Sequence, residues 1–126
     1  MNIPGNLKYA ASHEWVEYIG DGKVRVGISD YAQNAMGDLV FINLPQVGDA
    51  AIAGEPLCDV ESVKAVEDVY CPVSGEITAV NEELMDHPEL INEQPYDAWI
   101  AEISGVTDDD ELLDAAAYQT VCEEEE

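Results

Sequence analysis

One short β pattern occurs twice in this sequence, and the repeat limits the fold more than any other feature. "GDLVFINLPQVGD" followed by "EPLCDVES" runs from Gly37 to Ser62, and "GEITAVNEELMDH" followed by "QPYDAWIAEIS" runs from Gly75 to Ser104. Each unit opens Gly–acid–aliphatic, continues as a strand, passes a polar linker and an X–Pro step, and ends in a second strand. The spacing is 38 residues between the glycines and 39 between the prolines. Two copies are too few for a solenoid. Two similar β units joined by a tight connection predict a flattened barrel or sandwich with pseudo-twofold symmetry. The joining segment is "DVESVKAVEDVY", residues 59–70, and Lys64 stands in its middle.

The rest of the chain reads as elements around this pair. "HEWVEYI" and "KVRVGI" alternate as strands and flank Asp21–Gly22, a hairpin signal. "SDYAQNAMG" is a helix of about two turns, with Ser29 as N-cap and Gly37 as its stop. "DLVFINLP" alternates little, which predicts a strand buried on both faces. "EELMDHPEL" allows at most one short helix, before Pro88, and "DAWIAEIS" is the last strand. "TDDDELLDAAAYQTVC" predicts a helix capped by Thr107, with acids in its first turn and an apolar stripe from Leu112, Leu113, Ala116 and Val121. The 126 residues suit a single domain, 1–126, mainly β, with short helices and a C-terminal helix and acidic tail over 106–126.

Charge excludes several partners. There are 28 Asp plus Glu against 4 Lys plus Arg, a formal net charge of −24. Phosphate backbones need cations to displace their counterions, so neither nucleic acid nor an anionic membrane surface is expected to bind. The longest strongly apolar run, "LVFI", is too short to span a bilayer. "MNIPGNLKYAASHEW" has no secretory or transit pattern, and we expect a cytoplasmic, monomeric protein. The acids are spread along the whole chain, which suggests a salt-adapted, halophilic cytoplasm, because high salt shortens the Debye length to about 3 Å at 1 M. Cys58, Cys71 and Cys122 are odd in number and lack C-x-x-C spacing, so no disulfide framework is expected. His13 and His87 are far apart and show no metal-ligand pattern.

Lys64 breaks these trends. A lysine at a hairpin tip is ordinarily a solvated charge. Here lysine is nearly absent, and the tip residues Val63 and Lys64 include no glycine to supply the positive φ that two-residue turns favour. A type I turn with looser strand ends is the alternative geometry. Either way the tip is not chosen for turn stability alone.

"ESVKAVEDVYCPVSGEI" resembles the lipoyl-attachment region of the glycine cleavage system H protein family, and "SHEWVEY", "VGISDYAQNAMGDLVFINLPQVGD", "VNEELMDHPELINEQPYDAW" and "YQTVCEEEE" extend the resemblance from about Leu7 to the acidic tail. The family has a longer Pro–Tyr loop with glycine just before the tryptophan, whereas Ala98 stands there in this chain. The resemblance implies a hammerhead or barrel-sandwich hybrid of the lipoyl and biotinyl carrier type, with its lipoyl-binding core over 23–105. It implies lipoate in amide linkage to Lys64, flanked by Glu61, Ser62, Val63 and Ala65 as recognition residues. It implies a non-catalytic carrier working with glycine decarboxylase, aminomethyltransferase, dihydrolipoyl dehydrogenase and a lipoate-attaching enzyme. Ser12 and His13 are neighbours, yet no nucleophile elbow surrounds them.

Other carriers fit less well. Biotin carriers have methionine on both sides of the lysine, where Val63 and Ala65 stand here, and lipoyl domains of 2-oxo acid dehydrogenases are shorter and have Asp before the lysine. A lipoyl-relay paralogue is a further alternative. An aminomethyl-loaded arm carries an ammonium group that water can release, so a sheltering cleft is expected. Ser12, Glu14 and Asp68 are the candidates to line it.

The charge imbalance predicts a salt response. Thermal unfolding from about 0.1 M to above 1 M KCl should show a rising midpoint as screening relieves repulsion among the 28 acids. Neutral-osmolyte controls separate this from strengthened apolar burial. A flat midpoint would remove the salt-adaptation reading.

Overall fold

The structure, a computed structural model, describes residues 2–125; Met1 and Glu126, the ends of the expected domain and acidic tail, lie outside the described residues. In chain order the elements are β1 (Lys8–Tyr9), β2 (Glu14–Gly20), β3 (Lys23–Ile28), α1 (Asp30–Met36), β4 (Leu39–Asn43), β5 (Ala50–Ala51), β6 (Pro56–Ser62), β7 (Val66–Tyr70), β8 (Ser74–Val80), α2 (Glu83–Asp86), α3 (Leu90–Glu93), β9 (Ala101–Thr107) and α4 (Ala115–Glu125). Two antiparallel sheets form, one in the order β1-β2-β3-β9-β8-β5 and one in the order β4-β6-β7. Val24, Val26, Ile77 and Ile103 of the first sheet share one buried cluster with Ile42, Leu57, Val60 and Val69 of the second. The result is a barrel-sandwich hybrid. Burying a side chain such as Ile103 contributes about 1.5–3 kcal/mol.

The repeat has a direct structural counterpart. The two strands of the first unit, β4 and β6, pair with each other in the small sheet, as Ile42↔Val60. Those of the second, β8 and β9, pair in the large sheet, as Ile77↔Ile103. The two strand pairs thus lie in opposite sheets, with β5 of the first unit crossing to the edge of the large sheet beside β8, and residues 59–70 supply the hairpin β6–β7 between them.

Local signals explain most elements. Asp21 and Gly22 both have positive φ, 55° and 69°, as a tight hairpin turn requires. The Ser29 hydroxyl accepts from Ala32 N at 3.1 Å, capping α1, and Gly37 ends that helix with φ 84°.

Several expectations need correction. β4 is not buried on both faces: Val40 and Phe41 are exposed, because a bulge between Leu39 and Phe41 interrupts its pairing and the small sheet is covered on one face. Residues 83–93 form two single-turn helices, since Pro88 ends α2 at His87 and then starts α3. The last strand begins at Ala101 rather than Asp97, and it extends to Thr107. The core also takes Val16 from β2, outside 23–105. Thr107 caps no helix. Asp108 turns the chain with φ 56°, and Leu113 pairs with Tyr9 through Tyr9 N–Leu113 O at 2.8 Å and Leu113 N–Tyr9 O at 2.7 Å. α4 starts after Asp114, whose carboxylate accepts from Ala117 N at 2.8 Å. Its buried residues are Tyr118 and Cys122, while Ala116 faces solvent. No helix among the described residues is long and apolar enough to cross a membrane.

Candidate functional site

Lys64 sits at the exposed tip of the β6–β7 hairpin, one step beyond the last rung, Glu61↔Val66. Neither Val63 nor Lys64 adopts a positive φ, so the turn avoids the form that demands glycine. Ser62 supplies the missing stability. Its backbone N–H donates to Ala65 O at 2.8 Å, and its hydroxyl accepts from Lys64 N at 3.1 Å and Ala65 N at 3.2 Å. The serine is therefore engaged in the turn itself. Among the described residues no ion pair engages Lys64, so its amine stays available in a strongly acidic chain.

The tip rests on the bend between α1 and β4. Val63 N donates to Asp38 O at 3.0 Å. The Lys64 stem lies over Gly37: a Cβ built there would stand 3.2 Å from Lys64 Cε, and the positive φ of Gly37 already disfavours a side chain. Asn92 of α3 clasps the same bend, donating to Gly37 O at 2.9 Å and accepting from Leu39 N at 2.9 Å. Nothing in the sequence reading singled out Asn92. Its signal is a polar amide inside a short helix, a position Asn disfavours unless its side chain has partners.

Ser12 and Glu14 come together at the far end of the hairpin. The chain reverses at His13, φ 82°, and the Ser12 hydroxyl donates to Glu14 Oε1. Glu14 Oε2 accepts from Tyr70 N at 3.4 Å, a long contact. Glu14 is 3% exposed. Burial pushes its carboxyl up from 4.5 to about 7, against the opposing pull of the Ser12 hydroxyl and the Tyr70 amide. Asp68 makes no hydrogen bond to Ser12 or Glu14 among the described residues. It is exposed on β7, across from Asp59, whose carboxylate accepts from Asn43. Cys58 lies within the fields of both acids. Burial, then Asp59, Cys71, Glu14 and Asp68, push its thiol well above the ordinary value. Cys58 is thus a neighbour of Glu14 and Asp68 that its spacing in the sequence did not reveal. Ser12 also lines a cavity of about 350 Å³ with Cys71, Pro72 and Asp108.

Val66, Asp68 and Tyr70 alternate along one exposed face of β7. β7 runs from the lysine turn to Tyr70, whose backbone amide meets Glu14, and Asp68 stands on it four residues beyond Lys64. The arrangement offers a nucleophilic amine on a fixed platform, a strip of strand, and a sheltered carboxyl at its end.

Comparison with known proteins assigns the chain and its fold to a family. The family model described as glycine cleavage H-protein matches residues 7–125. The chain belongs to the glycine cleavage H-protein family. It is 54% identical to glycine cleavage system H protein 2 of Pseudomonas putida, over 95% of this chain and 96% of that one. It is 55% identical to a probable glycine cleavage system H protein of Pyrococcus furiosus, over 92% and 89%. The crystal structure of a glycine cleavage system H protein from Mycobacterium marinum superposes with a TM-score of 0.86 at 42% identity, covering 94% of this chain and 97% of that one. Ala98 is buried and has no positive φ, so this backbone needs no glycine there.

The buried carboxyl generates a pH prediction. A group that ionises at about 7 when folded and near 4.5 when unfolded holds its proton more tightly in the folded chain. Its stabilising contribution is complete below 4.5 and is lost as pH rises to about 7. The loss is on the order of 3 kcal/mol. Glu14→Gln cannot ionise. In denaturant unfolding the variant should gain on the wild type by about that amount between pH 4.5 and 8, and a difference independent of pH would contradict the burial argument.

Proposed function

We propose that this chain is the lipoyl carrier of the glycine cleavage system, with lipoate in amide linkage to Lys64. The observation that carries the reading is the lysine itself. It is exposed, without an ion pair among the described residues, and set on a docked hairpin in a chain with 4 Lys plus Arg in all. Lys8 and Lys23 lie on strands rather than at such a tip. The residues fit the group: Gly37 leaves room for the stem, the exposed face of β7 offers a path, and Ser12 and Glu14 offer acceptors at its end.

The role is that of a carrier rather than a catalyst. The chain shuttles the aminomethyl group of glycine from the pyridoxal-phosphate decarboxylase to the folate-dependent aminomethyltransferase, and electrons to dihydrolipoyl dehydrogenase, after a lipoate-attaching enzyme has modified Lys64. When bound, the lipoyl group supplies a disulfide that is reduced as one sulfur takes up the cargo. The protein's own residues hold and shelter that cargo. The carboxyl of Glu14, poised at about 7, ionises readily when an ammonium group approaches, and a charge-assisted hydrogen bond of this kind contributes roughly 1.5–3 kcal/mol. Ser12 fixes the carboxyl's orientation, and Asp68 adds negative charge along the path. Acylation of Lys64 also removes one positive charge, taking −24 to −25.

Peptide mapping after expression with lipoate should place the added mass on the fragment containing Lys64. Lys64→Arg should fold yet support no glycine decarboxylation, because arginine cannot form the amide. Full carrier activity in that variant would overturn the assignment. Separately, Glu14→Gln and Asp68→Asn should leave loading intact while the aminomethyl form decays faster than in the wild type. Unchanged decay in both would place the shelter elsewhere.

A further inference from the structure

We propose that Asn92 is a positioning residue for the attachment lysine, presenting Lys64 to the modifying enzyme through the bend at residues 37–39. The proposal rests on the reading of Lys64 as the attachment site. Asn92 lies on α3, far from Lys64 in sequence, and is half-buried. Its Nδ2 donates both to Gly37 O at 2.9 Å and to Gln33 Oε1 at 3.0 Å, and its Oδ1 accepts from Leu39 N at 2.9 Å. One amide thus grips the bend on both sides of Asp38. Gln33 is itself held by its Nε2 donating to Asp30 Oδ1 at 2.8 Å, which orients the acceptor that Asn92 meets.

The grip is transmitted to the lysine by two contacts. Asp38 O, fixed between the two gripped residues, accepts from Val63 N at 3.0 Å. Gly37, whose carbonyl Asn92 holds, forms the floor under the Lys64 stem. Beyond the rung Glu61↔Val66 the hairpin tip is held by its own Ser62-centred bonds and by its docking on this bend, where Ser62 pairs with Leu39 of β4. Releasing the bend would leave the turn intact but let it pivot. An enzyme that must bring the Lys64 amine to an activated acyl group would then find the competent orientation less often. When only a fraction of the substrate protein is competent, apparent affinity falls by that fraction. The expected effect of Asn92→Ala is therefore on KM rather than on kcat.

The test uses the full-length unmodified chain, a lipoate-attaching enzyme, ATP and lipoate, with loading followed by intact mass. Asn92→Ala should raise the KM for the protein substrate about tenfold, equivalent to about 1.4 kcal/mol and on the scale of one net hydrogen bond, with kcat changed less than about twofold. In the unmodified protein the Val63 amide should exchange with solvent about tenfold faster, the same opening seen without the enzyme. Val24→Ala, a cavity variant in β3 away from the bend, controls for general destabilisation and should load with wild-type KM. If Asn92→Ala does not fold, Asn92→Asp, which keeps the acceptor for Leu39 N and loses both donations, takes its place. Wild-type KM in the Asn92 variant, or an equal rise in Val24→Ala, overturns the positioning role alone. Wild type that takes no lipoyl mass on Lys64 overturns the attachment reading, and this role with it.

Discussion

The antiparallel ladder between β3 and β9 is the join on which the rest of the fold depends. It places Val24 opposite Ile103 and Val26 opposite Ala101, all fully buried, across a long sequence separation. Because β9 also pairs with β8, this ladder ties the N-terminal hairpin to the second β unit. Within the first unit, β5 pairs with β8 at the edge of that sheet, as Ala51↔Gly75, while β4 and β6 are held to it chiefly by packing on the common core. On its outer side the ladder carries one of the few cations. Arg25 Nε lies 3.4 Å from Glu102 and stacks over Trp99 at 4.9 Å. So exposed a pair adds little stability, and apolar burial beneath it carries the join.

Around this core the chain tolerates a charge of −24 by keeping acids at least partly in solvent, with one exception among the described residues. Glu14 is buried, and a carboxyl taken out of water without a cation shifts toward its neutral form. Histidine does structural work nearby. His13 Nδ1 shares a hydrogen bond with Tyr118 OH at 2.8 Å, and its Nε2 lies 2.8 Å from Glu125, which ties α4 to the turn that carries Ser12. Tyr118 also bonds to Ser29 at 2.6 Å and stacks on Tyr9 at 4.5 Å. The C-terminal helix therefore braces the Ser12–Glu14 turn and the N-cap of α1 together.

The site follows from these two anchorages. One end of the β6–β7 hairpin rests on the bend after α1, and the other reaches the Glu14 carboxyl through Tyr70. A carrier has to present a mobile arm without itself being mobile. Fixing both ends of one hairpin meets that requirement, because the platform keeps its register while only the lysine stem swings.

Much of this was legible in the sequence. Alternation, the Asp21–Gly22 turn, the Ser29 cap and the repeated β unit act over a few residues, and short-range sterics and hydrogen bonding decide them wherever the segment lies. Lys64 stood out by composition and place, and Glu14 by its motif. Other features depended on neighbours distant in the chain. The exposure of Val40 and Phe41 depended on a bulge against β6, and the late start of α4 on Leu113 pairing with Tyr9. The clasp by Asn92 depended on α3 packing beside a bend some fifty residues earlier. The raised Glu14 carboxyl and the Cys58 thiol beside it depended on burial, which no local pattern encodes. The sequence by itself determined the strands, their turns and the lysine to be presented, because those are set by periodicity and local backbone preference. Only the tertiary structure decided what holds that lysine and what buries the Glu14 carboxyl, because both arise where distant segments exclude water from one another.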